Sequence, residues 1–228
     1  MAKEKKLYYL AMDTETGGLH DKPFKDKNGN LKPACAITSI AVLVIDCNSL
    51  EVIEKYETYV KRYDDATYDP IALQITGITF DILQKKGKEP YIAAKEVLDI
   101  INKYSPNKHP KFKPIIVGQN IKFDIGMLTT FFQRFLKVDF SNLFQEESFD
   151  TIRLAQLKHF QGLQDCDLKF NLQSICDREN IPLFDAHGAL ADTKATAQLF
   201  IKFAKALKSE NNSEDGNRDK RYRDQFQF

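Results

Sequence analysis

The sequence has no apolar run long enough to cross a membrane; its first apolar stretch, Leu7–Met12, is short and follows a basic start. That stretch is shorter than most signal-peptide cores. The cysteines show neither a C-x-x-C pair nor a zinc spacing, which argues against a disulfide framework or a zinc finger and indicates reduced thiols (Cys35, Cys47, Cys166 and Cys176). We therefore expect a cytoplasmic protein.

The chain also lacks an excess of one charge, since its formal net charge is +1. Without an overall basic field, a nucleic-acid partner would have to be held by a local site. The apolar content of 43% and the charged content of 29% are those of a globular protein, and 228 residues are enough for one sizeable core.

Apolar periodicity predicts strands at 7–12, 36–46, 51–61 and 114–120, and a strand end that passes into a helix at 149–160. Helical spacing is clearest in "PYIAAKEVLDIINKY", "FDIGMLTTFFQRFL" and the segment from Gly188. This order predicts an α/β fold: a mixed five-stranded sheet, with three antiparallel strands and then parallel strands, flanked by helices. A ligand site is expected at the carboxyl ends of the parallel strands.

Two segments depart from this pattern. Residues 20–34 form a polar insertion in which Asn28-Gly29 predicts a turn. Residues 208–228 are highly charged and have almost no aliphatic side chains, so we expect a disordered tail after a single domain at 1–207.

Carboxylates stand at the end of the first predicted strand. Asp13 and Glu15 are two residues apart, so their side chains face the same way. Two convergent carboxylates favour a divalent cation such as Mg²⁺ or Mn²⁺. The alternative for an isolated D-x-E is a solvated strand end.

Further acidic residues follow two later elements. Asp124 lies in the first turn of a helix after a buried strand, a place where aspartate is also common for electrostatic reasons alone. His187 and Asp192 converge if a helix begins at Gly188, with His187 on the preceding loop. A histidine above several carboxylates can accept a proton near neutral pH, although a histidine before a helix is more often a surface residue.

The stretches "MDTETGGL", "QNIKFDIGML" and "HGALADTKATAQLF" resemble, in order, the three motifs of the DEDDh family of 3′–5′ exonucleases. This family includes the epsilon proofreading subunit of bacterial DNA polymerase III and ribonuclease T. The resemblance implies a ribonuclease-H-like fold and two divalent metal ions, Mg²⁺ or Mn²⁺. It also implies His187 as general base, release of nucleoside 5′-monophosphates, and four metal-binding catalytic carboxylates (Asp13, Glu15, Asp124 and Asp192).

The resemblance also implies substrate contacts by Thr14, Thr16, Leu19 and Asn120, with Leu19 as a wedge against the last base. A plain loop-anchoring role is the alternative for Leu19. Gly17 stands where the family often has threonine, and we expect this glycine to loosen the loop.

DNA is the expected substrate, and an RNA-trimming exonuclease similar to ribonuclease T is the first alternative. A second alternative, of another class, is a catalytically silent module that binds nucleic-acid ends or supports a polymerase. The terminal "RYRDQFQF" loosely resembles peptides that bind sliding clamps, and this resemblance implies a polymerase or clamp partner; an inert tail is the alternative.

Overall fold

The computed structural model describes residues 6–105, 110–159, 168–183 and 188–212, with side chains up to residue 208. Its strands are β1 (Tyr8–Thr16), β2 (Phe24–Lys25), β3 (Leu31–Lys32), β4 (Ile37–Asp46), β5 (Val52–Tyr59), β6 (Ile115–Gly118) and β7 (Ser148–Asp150). Its helices are α1 (Pro70–Thr76), α2 (Phe80–Lys86), α3 (Pro90–Lys103), α4 (Ile121–Leu136), α5 (Thr151–His159), α6 (Leu172–Glu179) and α7 (Ala189–Asn212).

The central sheet has five strands in the order β5-β4-β1-β6-β7. β4 pairs antiparallel with β1 and with β5, whereas β6 runs parallel to β1, and β7 runs parallel to β6. The predicted mixed sheet with flanking helices is therefore confirmed. The carboxyl ends of β1, β6 and β7 lie at the same edge of this sheet.

The first strand is longer than predicted. β1 continues through both carboxylates to Thr16 because β4 pairs along its whole length, with Asp13 opposite Ala41 and Glu15 opposite Ser39. The apolar pattern predicted a strand only at 7–12. It cannot reveal the polar residues 13–16 as strand, because those residues are in the strand through their pairing with β4. Asp13 and Glu15 therefore have fixed strand geometry.

The two faces of the sheet are covered by different helices. On one face Leu10 and Met12 pack with side chains of α3 and α4, such as Val97 and Leu128. On the other face Ala11 lies in a smaller apolar cluster with side chains of α7. This two-sided burial explains why residues 40–45 of β4 form a continuously apolar run, since nine of the ten residues of β4 are buried.

A buried carboxylate joins the three C-terminal helices. Glu179, at the end of α6, is 2% exposed and accepts hydrogen bonds from Lys158 Nζ of α5 at 2.8 Å, while Lys202 Nζ of α7 lies 2.9 Å away. His159 Nε2 lies 2.6 Å from the same carboxylate. Burial opposes ionisation, but these contacts prevail and lower the pKa of Glu179 to about 2.

Helix α7 extends to Asn212, beyond the domain boundary predicted at residue 207. The remainder of the predicted tail, 213–228, lies outside the described residues. Cys35, Cys47 and Cys176 are free thiols, and Cys166 lies outside the described residues. Among the helices of the described segments, none combines the length and the apolar character needed to span a bilayer.

Candidate metal centre

Strand alternation directs the carboxylates of β1 toward α7. Because Leu10 and Met12 face α3 and α4, the intervening Ala11 and then Asp13 and Glu15 face the opposite side of the sheet. That side is covered by α7, so the two acidic side chains point to the place where this helix begins.

Asp192 completes a cluster on this side. It lies in the first turn of α7, and its N–H donates to the carbonyl oxygen of Gly188 at 3.0 Å. Carboxylate oxygens of Asp13, Glu15 and Asp192 all lie within 4.8 Å of one another. His187, the expected general base, lies outside the described residues.

Asp124 approaches from the first turn of α4 and is 3% exposed. Its Oδ1 accepts two hydrogen bonds from Thr14, one from the backbone N–H at 2.9 Å and one from Oγ1 at 2.7 Å. β6 ends at Gly118, so the end of β1 extends past it toward α4. Asp124 therefore lies beside the cluster with a fixed orientation.

The carboxylates raise one another's pKa. Burial is the largest cause for each, and repulsion from Asp124, Glu15 and Asp192 adds to it at Asp13, whose pKa lies well above its ordinary value. The pKa of Glu15 is raised to about 8 by burial and then by repulsion from Asp192 and Asp124. Burial also raises the pKa of Asp124 to about 7, although the hydrogen bonds from Thr14 oppose the rise.

This donor set fits a divalent metal ion. Its ligand atoms are carboxylate oxygens, which suit hard cations such as Mg²⁺. Holding several ionised carboxylates together at low solvent exposure costs free energy unless a cation neutralises their charge. The residues are thus able to bind metal, with Asp13, Glu15 and Asp192 as the cluster and Asp124 next to it.

A cleft of about 600 Å³ adjoins the cluster. Glu15 lines it together with Thr14, Thr16 and Leu19, three of the four predicted substrate contacts. Leu19 is 81% exposed, whereas the Thr14 hydroxyl is engaged with Asp124 and the Thr16 hydroxyl donates to the carbonyl oxygen of Gly18 at 2.7 Å.

Asn120, the fourth predicted contact, lies at the start of α4 with a positive φ of 54°. Its N–H donates to Asp150 at 3.1 Å, and the residue is not part of the cleft lining. Its predicted role in binding substrate stays a prediction.

The expectation that Gly17 loosens the loop is wrong. Gly17 is buried, its N–H donates to Ala36 at 2.8 Å, and its carbonyl oxygen accepts from Asp69 at 2.7 Å. A Cβ at this position would lie 2.6 Å from the carbonyl oxygen of Thr67. The glycine is therefore required for close packing, and the loop is held on both sides.

Sequence reasoning missed two further residues of the site. Asp150, at the end of β7, accepts from the N–H groups of Asn120 and Ile152 and adds to the raised pKa of Asp124. Phe123 lines the cleft one residue before Asp124. An aspartate directly after a third parallel strand was the available signal for Asp150, because all three strand ends share one edge.

Comparison with known proteins places these features in a family. The family model described as exonuclease (RNase_T) matches residues 10–200. The chain is 25% identical over 197 residues to DNA polymerase III PolC-type of Bacillus subtilis (strain 168), covering 86% of this chain and 11% of that protein. It is 27% identical over 208 residues to ribonuclease T of Photorhabdus laumondii, covering 88% of this chain and 85% of that protein.

Solved structures of E. coli exonuclease I share the fold. The complex with a dT13 oligonucleotide matches with a TM-score of 0.65 and 24% identity, covering 86% of this chain and 40% of that one. The product-bound form matches with a TM-score of 0.67 and 23% identity, covering 88% of this chain and 44% of that one. The chain spans about a tenth of the PolC-type polymerases, 11% and 10% of their lengths, and less than half of exonuclease I. With the family model matched across most of its length, the chain belongs to the exonuclease family.

Proposed function

We propose that this protein is a metal-dependent exonuclease that removes nucleotides from the 3′ end of DNA and releases nucleoside 5′-monophosphates. The observation that carries the proposal is the carboxylate cluster of Asp13, Glu15 and Asp192, whose oxygens lie within 4.8 Å of one another, next to a cleft that Glu15 lines. Such a cluster is costly for a purely structural domain, but it is useful where cations must meet a phosphate.

In this proposal Asp13, Glu15, Asp124 and Asp192 hold two divalent ions, Mg²⁺ or Mn²⁺. When bound, such ions offset the phosphate charge and lower the pKa of water. The residues of the chain set the geometry. Thr14 fixes Asp124 through two hydrogen bonds, so that carboxylate keeps one orientation before any ligand arrives.

His187 is proposed as the group that accepts a proton from the attacking water, since imidazole titrates near neutral pH. Its support is its sequence position directly before Gly188, whose carbonyl oxygen accepts from Asp192. Leu19 and Phe123 offer apolar surface along the cleft, which suits contact with the face of a terminal base.

The similarity to PolC-type DNA polymerase III favours DNA and a proofreading or repair role beside a polymerase. RNA is the second candidate substrate. The similarity to ribonuclease T favours RNA, because that match covers 85% of ribonuclease T, whereas the match to the polymerase covers 11% of the polymerase. The 2′-hydroxyl that separates the two substrates is recognised by local contacts.

The test is digestion of 5′-labelled DNA and RNA oligomers of the same sequence, with Mg²⁺, with Mn²⁺ and with EDTA. We expect metal-dependent shortening of DNA from its 3′ end and no shortening with EDTA. Shortening of RNA alone would reject DNA as the substrate. Activity that persists in EDTA would reject the metal site.

A matched pair of variants tests the site itself. Asp124 and Asp81 each lie in the first turn of a helix, but Asp81 is an exposed residue of α2 that pairs with Lys85. Asp124→Asn is expected to reduce the rate by at least about 100-fold, since it alters a metal-binding carboxylate. Asp81→Asn is expected to have the wild-type rate. Equal rates for the two variants would remove Asp124 from the site.

A further inference from the structure

The polar insertion at 20–34 forms an ordered hairpin. β2 and β3 pair antiparallel, and Gly29 at the tip has a φ of 80°, which favours glycine. Asp26 Oδ1 accepts from the N–H groups of Asn28 and Asn30, each at 2.9 Å. These bonds define the tip without help from the rest of the protein.

The root of the hairpin is attached to the scaffold of the metal centre. The Thr130 hydroxyl of α4 donates to the carbonyl oxygen of Asp21 at 2.6 Å. The N–H of Cys35 donates to the carbonyl oxygen of His20 at 2.7 Å. Gly126 of α4 allows this approach, because a Cβ there would lie 2.5 Å from Asp21 Oδ2. The hairpin therefore has a fixed position relative to α4, the helix that carries Asp124.

The hairpin forms part of the wall of the cleft. The lining includes Thr14, Glu15 and Thr16 from β1, and it also includes hairpin residues (His20, Phe24, Lys25, Asp26 and Lys27). A strand that enters the cleft to reach the carboxylates must therefore pass beside the hairpin.

Two aromatic rings of the hairpin are stacked. The rings of His20 and Phe24 have centroids 3.8 Å apart and an interplanar angle of 17°. Phe24 packs against the main apolar core, whereas His20 is exposed. His20 also lines the cleft, so its exposed ring offers a surface on which a nucleobase could stack.

The hairpin also brings positive charge to the cleft. Lys32 lies 3.8 Å from Asp26, so its charge is partly compensated. Lys25 and Lys27 are exposed in the cleft wall, and neither makes an ion pair with any residue that the structure describes. Two such ammonium groups beside an acidic centre suit the phosphates of a nucleic-acid strand.

We propose that the hairpin 20–34 is a substrate-binding element for single-stranded nucleic acid, in which His20 stacks on a base while Lys25 and Lys27 contact backbone phosphates. The proposal rests on the proposed function, because it needs a strand end at the carboxylates. It assigns to this insertion a role in gripping the substrate, separate from hydrolysis.

The first experiment measures the binding of a fluorescent single-stranded oligonucleotide to the full chain, by anisotropy in EDTA over a range of salt. K25A/K27A is compared with K55A/K205A. Lys55 and Lys205 are exposed, one on β5 and the other 13 positions after Asp192 on α7, or about 20 Å along that helix. Loss of two phosphate contacts should reduce the slope of log K against log salt by about 1.4, while the control keeps the wild-type slope.

The second experiment tests the stack. His20→Ala should raise Kd at least about fivefold, the low end of the loss of one base–aromatic stack, and His20→Phe should restore binding. For degradation of the same strand, KM should rise with kcat unchanged, because binding is lost and hydrolysis is not. Thermal unfolding verifies that each variant is folded.

The outcomes separate the two proposals. If the wild-type protein degrades the strand but the hairpin variants keep its KM and salt slope, the hairpin has no binding role. The same conclusion follows if K55A/K205A changes the slope as much as K25A/K27A. If the wild-type protein degrades neither DNA nor RNA, the proposed function itself fails.

Discussion

Replacing Glu15 by glutamine should stabilise the metal-free protein while removing most of the stabilisation that it gains from metal. Burial and neighbouring carboxylates raise the pKa of Glu15 from 4.5 to about 8. For a carboxyl with a raised folded-state pKa, stability is fully present below the unfolded value and decreases as the pH rises through the folded value. The metal-free wild type should therefore lose stability between about pH 4.5 and pH 8.

The size of the effect follows from that interval. The gap between pH 7 and the ordinary value of 4.5, at about 1.4 kcal/mol per pH unit, corresponds to about 3 kcal/mol. Glutamine has a similar shape and no charge, so Glu15→Gln should raise the free energy of unfolding in EDTA by up to about 3 kcal/mol at pH 7. The gain should fall below about 1 kcal/mol at pH 5, because that pH lies only half a unit above the ordinary value of 4.5.

The assay is urea unfolding in EDTA at several pH values, and thermal unfolding with and without Mg²⁺ or Mn²⁺. Ligand binding to the folded state raises the melting temperature of the wild type, and Glu15→Gln should lose most of that rise. Glu57→Gln, at an exposed position of β5, is the control with the same change of charge. The electrostatic reasoning fails if Glu15→Gln is less stable than the wild type in EDTA at pH 7, or if the gain does not grow with pH.

Three further changes test other parts of the site and the fold. Thr14→Val removes a hydroxyl that lowers the pKa of Asp124, so metal affinity from a Mg²⁺ titration should fall more at pH 6.5 than at pH 8, because protons compete for that carboxylate. Gly17→Ala places a Cβ 2.6 Å from the Thr67 carbonyl oxygen and should lower the free energy of unfolding, measured with urea, by about 1–3 kcal/mol. A variant as stable as the wild type would show that the loop shifts to accommodate the methyl group. Glu179→Gln should cost about 3 kcal/mol at pH 7, since the folded-state pKa is about 2, and the difference from the wild type should disappear as the pH falls from about 4.5 toward 2 in acid unfolding.

Much of the sheet and part of the site were predictable from local pattern. Alternation along a strand places Asp13 and Glu15 on one face whatever the rest of the chain does, and a first-turn aspartate is recognisable from the strand before it. The three motifs in order predicted the exonuclease family, which the family match confirms. These inferences depend on neighbours within a few residues, where sequence spacing and spatial spacing are tightly linked.

The tertiary structure decided which distant groups meet. The parallel register of β1 and β6 brings α4 to the end of β1, so that Thr14 holds a carboxylate 110 positions away. Packing of α7 on the sheet brings Asp192 within 4.8 Å of Asp13 and Glu15. The close packing at Gly17 and the placement of the 20–34 hairpin in the cleft wall also depend on such contacts. Local periodicity carries no information about them, because they arise between segments whose separation along the chain sets no distance in space.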